Sequence, residues 1–273
     1  MIMASVNIYS VDGKEVGKIE LPKVFEKTVR EELIRRAVVA EQSMRLQPQG
    51  HYLLAGMQTT ARYYGRYDAS WRTGRHMGIA IRPREKLGGG RQGQVKRIPS
   101  AVKGKRAHPH KIEKRLSESM NNREYQAALA SSISASAKHM LKGITTPIVV
   151  DNAIESLKST KEILKMFKGM QMQSLLEEGR KKYVKKGLRR GSRRVHYKNT
   201  AALIVNSDKG VVKAARNIPG ISVCTVDKLT VNMLAPGGNP GRISIWSADA
   251  AKNVESKIND LTLKSQAKYY MSD

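Results

Sequence analysis

A chain of 273 residues with 50 Lys and Arg against 23 Asp and Glu carries a formal charge of +27, with aromatic residues at only 5%. Such a surface repels itself unless a polyanion covers it, and nucleic acid is the counter-charge that answers best. No apolar run approaches the roughly 20 residues of a membrane span, the N-terminus has no secretory apolar region, and one cysteine, Cys224, excludes a disulfide framework or thiolate metal cluster within one chain. The expected compartment is reducing and cytoplasmic, and Cys224 reads as a core residue of a strand.

In chain order, Val6-Asn7-Ile8-Tyr9 and Glu15 to Ile19 flank Val11-Asp12-Gly13-Lys14, and Asp-Gly between strand-like runs predicts a hairpin. Phe25, Val29, Leu33 and Ala37 recur at four-residue spacing and predict a helix ending near Arg45. From Arg45 to Lys111 the periodicity vanishes: 67 residues hold 15 Lys or Arg, two acids and ten glycines. Their few bulky aliphatics do not offset a backbone entropy of roughly 1–2 kcal/mol per residue, so this segment is expected to be disordered alone. A structureless stretch this long within a compact domain is functional or a linker. Leu116, Met120, Leu129, Ile133, Ala137 and Leu141 then fit one face of a long helix, which Gly143 terminates.

The second half alternates apolar runs with helical stretches. Pro147 to Asp151, Ala202 to Val205, Ile221 to Val226 and Arg242 to Trp246 read as strands buried on both faces. Ser159-Thr160-Lys161-Glu162 is a capping box that opens a helix through Phe167, and Lys209 to Asn217 is a second short helix. The predicted fold class is therefore α/β: a Rossmann-like, mostly parallel sheet with flanking helices, an N-terminal hairpin and a long extended basic arm. Residues 1–44 and 112–273 form the globular α/β domain in this reading, residues 45–111 the arm, and residues 180–198 a basic insert within the domain. That insert has ten Lys or Arg and no acid in 19 residues. The two basic segments together hold +23 of the +27, which leaves an ordinary balance elsewhere.

The arm interleaves cations, glycines and rings. Guanidiniums bridge phosphates bidentately, rings stack on unpaired bases, and glycine lets backbone approach closely. Its candidate RNA-binding residues are Arg45, Arg62, Tyr63, Tyr64, Arg66, Tyr67, Trp71, Arg72, Arg75, His76, Arg82, Arg84, Arg91, Lys96, Arg97, Lys103, Lys105, Arg106, His108 and His110. A basic linker that binds nothing specific is the bland alternative, and five aromatics within Tyr52 to Trp71 weigh against it. In the insert the candidates are Lys181, Lys182, Lys185, Lys186, Arg189, Arg190, Arg193 and Arg194, doublets whose spacing presents charge in all directions. A solvated basic face or a nuclear-import signal would also use such a run.

Other motifs are weaker. Gly88, Gly90 and Gly93 satisfy G-x-G-x-x-G, but Arg82 to Lys86 before them is no buried strand and Lys96 to Pro99 after them is no helix, so no cofactor is expected. Pro236 to Gly241 reads as a turn into the next strand. Proline between His108 and His110, without a nearby Cys or paired carboxylate, favours phosphate or base contact over metal. Asp151 and Asp227 stand at strand ends, where capping is commoner than catalysis. The chain is accordingly expected not to be an enzyme, and no metal or small-molecule substrate is expected. An RNA-modifying enzyme of methyltransferase type and an architectural DNA-binding protein are the rival classes. The first lacks a cofactor loop and an acid-base set, and the second lacks a docking helix.

Ser70-Trp71-Arg72-Thr73-Gly74-Arg75, Gly88-Gly89-Gly90-Arg91 and Lys105-Arg106-Ala107-His108-Pro109, ahead of an α/β second half, make the chain similar to the L-four family of large-subunit ribosomal proteins. The resemblance spans nearly the whole sequence and looks archaeal rather than eukaryotic. It implies binding to large-subunit rRNA beside neighbouring ribosomal proteins and a role in subunit assembly. It also implies an arm tip at the nascent-peptide exit tunnel, carried by Arg72, Thr73, Gly74, Arg75 and His76, with the nascent peptide as a further partner.

Overall fold

The computed structural model describes residues 5–63, 80–86, 93–138, 140–141, 144–186 and 193–262. The first elements are β1 (Ser5–Tyr9), β2 (Glu15–Glu20), α1 (Glu31–Met44), β3 (Arg62–Tyr63), β4 (Pro83–Arg84) and α2 (Asn122–Ala137). Next come β5 (Met140–Leu141), β6 (Ile144–Thr145), β7 (Ile148–Val150), α3 (Thr160–Gly169), α4 (Gln173–Arg180), β8 (Lys182–Lys186) and β9 (Arg193–Tyr197). Then β10 (Ala201–Val205), α5 (Val211–Ala215), β11 (Ile221–Thr225), α6 (Val231–Leu234), β12 (Ile243–Ser247) and α7 (Ala248–Ile258) follow among the described residues. The chain packs as two compact units, residues 1–46 with 117–273 and residues 47–116. No helix among the described residues is long and apolar enough to cross a membrane.

The larger unit is built on a six-stranded, mostly parallel sheet in the order β11-β10-β12-β7-β1-β2, in which β2 alone runs antiparallel to its neighbour. Successive strand residues face opposite sides. Leu203 and Ile245 therefore join one core with Ile163, Phe167 and Ala214 of α3 and α5. Ile204 and Trp246 join the other with Ile34, Leu129 and Val254 of α1, α2 and α7. Burial on both faces is why these strands read as unbroken apolar runs. Trp246, wholly buried, meets Phe25 edge-on at 5.4 Å, and its indole N–H donates to Ser244 Oγ at 2.9 Å.

Asp-Gly makes the expected first turn: Gly13 has φ +84, and a Cβ there would stand 2.5 Å from the Gly169 carbonyl oxygen. Ser159 caps α3 by accepting from the Lys161 amide. Cys224 is buried in β11, and burial pushes its thiol up to about 12, which leaves an inert core residue.

Three readings of the sequence need correction. The first helix starts at Glu31, because Phe25 belongs to a separate 3-10 turn over Lys23–Glu26 and Lys27 is extended. Leu116 and Met120 precede α2, and Leu141 lies in β5, so the long one-faced helix is shorter. α2 is also buried nearly all round, and its serines satisfy themselves: Ser132 and Ser136 donate to Leu129 O and Ile133 O, each at 2.7 Å. Finally, the basic insert, read as doublets that present charge in all directions, contains a strand pair absent from that reading. β8 and β9 pair antiparallel, with Tyr183 opposite His196 and Val184 opposite Val195.

Candidate nucleic-acid interface

Unit 47–116 is small but locally ordered. β3 pairs with β4, setting Arg62 opposite Arg84 and Tyr63 opposite Pro83. On the other side of β4, the Lys96 amide donates to Pro83 O at 3.0 Å and the Glu85 amide to Gln94 O at 3.0 Å. Glycine here serves the chain's own packing: a Cβ on Gly56 would stand 2.3 Å from the Gly104 carbonyl oxygen, and one on Gly104 would stand 2.0 Å from Ile98 O. Arg97 and Lys103 adopt left-handed backbone, φ 66 and 56, uncommon for residues with side chains.

The expected RNA-binding residues divide by how their donors are used. Arg84 gives Nη1 to Gly93 O and Nη2 to Ala80 O, both at 3.0 Å. Lys96 Nζ donates to Val102 O at 3.0 Å, and Arg97 Nη1 donates to Ala61 O at 3.4 Å. These three cations brace the unit as well as charging it, a role the sequence did not announce. By contrast Arg62, Tyr63, Arg82, Lys103, Lys105, Arg106, His108 and His110 are exposed. Arg62, Tyr63, Arg97 and Lys105 border one groove of about 420 Å³, floored by Met57, Ala61, Pro83 and Ile98. An apolar floor rimmed by an aromatic ring and three cations suits an unstacked base and its phosphates. Facing cations such as Arg62 and Arg84 cost stability until a polyanion neutralises them.

In the larger unit Arg45 is exposed, and its backbone N–H closes α1 onto Gln42 O and Ser43 O. Lys181, Lys182, Tyr183, Val184, Val195 and Tyr197 are all exposed on the β8–β9 hairpin. The Tyr183 and His196 rings lie 5.7 Å apart. Register sets Lys185 opposite Arg194 and Lys186 opposite Arg193. Two-stranded hairpins are marginal in water alone, and this one offers rings and valines to a partner. Tyr64, Arg66, Tyr67, Trp71, Arg72, Thr73, Gly74, Arg75, His76, Arg91, Arg189 and Arg190 lie outside the described residues, as do Gly88 and Gly90.

A different place would serve an α/β enzyme. β10 leads into α5 on one face of the sheet and β12 into α7 on the other, so the carboxyl ends of these neighbours form the switch point at which such sheets bind ligands. Glu155, only 4% exposed, fills it. Its carboxylate accepts from the Asn206 amide at 2.9 Å, the Ser207 hydroxyl at 2.5 Å and the Ser247 hydroxyl at 2.9 Å. Burial alone would raise this carboxyl, but those hydrogen bonds prevail and hold it below the usual range. The polar triplet Asn206-Ser207-Asp208 after a buried strand is the one sequence signal of this arrangement, and its partner Glu155 is some fifty residues away.

Glu41 is equally invisible in sequence. Wholly buried on α1, it accepts from Tyr125 Oη at 2.7 Å and from the Val231 and Asn232 amides at 2.8 and 3.0 Å. Burial raises its carboxyl, and these bonds offset only part of the rise. Asp151 accepts from the Asn152 amide, and Asp227 pairs with Lys257, so both have structural partners.

Residues 19–257 match the model of the ribosomal protein L4/L1 family. The chain belongs to that family. Its relatives include the large ribosomal subunit protein uL4 of Methanococcus vannielii, 36% identical over 93% of this chain and 100% of that protein. The uL4 of Archaeoglobus fulgidus is 38% identical over 90% and 96%, and that of Methanococcoides burtonii 38% over 93% and 98%. The match runs from β2 to α7 and spans both basic segments.

Proposed function

We propose that the chain is a structural rRNA-binding protein of the large ribosomal subunit, cytoplasmic, ribosome-bound and without catalytic activity. The observation that carries this reading is near full-length similarity to archaeal proteins named for that subunit, in a chain whose excess charge sits in two segments with exposed cations and rings. Its expected partners are large-subunit rRNA and neighbouring ribosomal proteins. Residues 45–111 serve as the arm inserted into rRNA, residues 180–198 as a second contact, and residues 1–44 with 112–273 as the globular domain. That domain is Rossmann-like in layering only: its strand order is neither of the common doubly wound orders, and a carboxylate occupies the crevice a cofactor would need. The methyltransferase-like alternative has no observation in its favour.

The finer part of the proposal concerns Arg72, Thr73, Gly74, Arg75 and His76, which we place at the exit tunnel beside the nascent peptide. Beyond the Tyr63–Pro83 pairing, about ten residues each way at roughly 3.3 Å per residue allow the tip to stand up to about 30 Å from the paired strands. Deleting residues 71–79, which spares β4 and the Arg84 brace, is expected to leave both units folded and incorporation intact, while changing pausing on arrest sequences. Ribosomes with and without the deletion are compared for pausing, and intact ones for crosslinks from this segment to a stalled nascent chain. Absence of crosslinks together with identical pausing rejects the tunnel assignment and leaves rRNA binding standing.

A further inference from the structure

Away from the arm, the base of the β8–β9 hairpin opens into a recess of about 860 Å³ at the amino ends of β10 and β12. Three segments wall it: Ser174, Leu175 and Glu178 of α4, His196 of β9 with Lys198, Asn199 and Thr200 after it, and the glycine-rich loop Pro236 to Gly241 leading into Arg242. The loop has no acid, and Gly237 needs glycine for its φ of +73 rather than for space, since a Cβ there would meet nothing within 4 Å.

Arg242 supplies a fixed charge at the wall. It is 6% exposed and donates Nη1 to Met233 O at 2.6 Å, and Nη2 to Ala201 O at 2.6 Å and to Ser222 Oγ at 3.0 Å. Its Nε has no partner among the described residues. Burial pulls its guanidinium down to about 10, still cationic at neutral pH. Keeping an unpaired charge in such a place is costly unless an anion is near. The single acid of the lining, Glu178, holds Lys198 Nζ at 2.8 Å, and both side chains are about half exposed. That ion pair is weak in water and readily exchanged for a phosphate.

We propose that this recess, at the end of the 180–198 segment, is a further RNA site, which takes one nucleotide of the bound RNA by its phosphodiester group against Lys198, His196 and the Pro236–Gly241 loop. It rests on the rRNA-binding reading and adds to it a contact apart from the cationic doublets of both basic segments. The volume lies within the range of small-ligand sites and has room for a nucleotide. The neighbouring hairpin would bring the strand to its mouth. On binding, Lys198 turns from Glu178 to the phosphate, so the two residues act in opposite directions: Lys198 for affinity and Glu178 against it.

The test uses the full chain with two probes, large-subunit rRNA and inorganic phosphate. Lys198→Ala is expected to weaken rRNA binding about 4- to 5-fold near 0.15 M salt and to lower the slope of log affinity against log salt by roughly 0.7 to 0.9, and Lys198→Arg to restore both. Glu178→Gln should tighten binding more than Glu177→Gln, an identical charge change on the exposed side of α4. Wild-type affinity and slope in Lys198→Ala, or equal effects of the two glutamine variants, would overturn the proposal while the rRNA reading stands. Failure of the wild-type chain to bind rRNA would sink both. If inorganic phosphate shifts the Gly237 amide resonance while no variant alters rRNA binding, the recess serves a free anion and the RNA assignment is wrong.

Discussion

Alanine at Arg62, Arg82, Lys105 and Arg106 together lowers affinity for large-subunit rRNA by on the order of 10²–10³-fold near 0.15 M salt. The expectation follows from counterion release: every phosphate left without its cation takes roughly 0.7 to 0.9 off the salt slope, so four take off about 3. These four side chains are exposed, and among the described residues none of them donates to a carbonyl of the unit as Arg84 does. The fold of unit 47–116 should therefore survive. Arg84→Ala is the contrast: it strips hydrogen bonds from the Gly93 and Ala80 carbonyls and should loosen the unit as well as weaken binding. Filter binding over a salt series reads the first effect, and amide hydrogen exchange at Val95 and Lys96 reads the second. An unchanged slope in the quadruple variant would mean that these cations face solvent in the complex.

The second large effect is on stability. Glu155→Ala leaves the Asn206 amide and the hydroxyls of Ser207 and Ser247 without their shared acceptor in a crevice where Glu155 itself is only 4% exposed. Hydrogen bonds to a buried charge are each worth more than neutral ones, and the summed loss is expected to be about 3 kcal/mol. Its pH dependence has a definite sign. The folded carboxyl lies below its ordinary value of 4.5, so the stabilisation is fully present above that value and is lost as pH falls through the folded pKa. Urea midpoints of wild type and variant should thus differ most at neutral pH and converge in acid. A gap that is the same at pH 7 and at about pH 3 would show that ionisation of Glu155 contributes nothing.

How far the sequence reveals these features follows from what each residue type signals. β7, β10 and β12 are readable because burial on both faces leaves largely apolar runs such as Ala201–Val205, whereas β11, read as buried on both faces, stands at the sheet edge with Ser222, Val223 and Thr225 only partly buried. α2 misleads because Ser131, Ser132, Ser134 and Ser136 read as a solvent face, whereas the structure buries all four through hydrogen bonds to carbonyls. The hairpin β8–β9 is hidden by its lysines and arginines, which carry little strand propensity; its register shows only in Tyr183, Val184, Val195 and Tyr197. In the arm the cations are legible as cations, but nothing marks Arg84, Lys96 and Arg97 as braces, since their acceptors are backbone carbonyls. Glu41 and Glu155 are out of reach for a similar reason. Each meets partners brought together only by the tertiary fold, Glu41 at a separation of 190 residues from Val231.

Co-sedimentation of the chain with large ribosomal subunits after a high-salt wash tests the central claim most directly. Surface-bound basic proteins rely on screened phosphate contacts and leave under such a wash. A protein whose arm is enclosed by rRNA is retained by packing as well as by charge. The account predicts that the chain stays at one copy per subunit through the wash. Its quantitative release into the free-protein fraction, with the subunit otherwise intact, would contradict it.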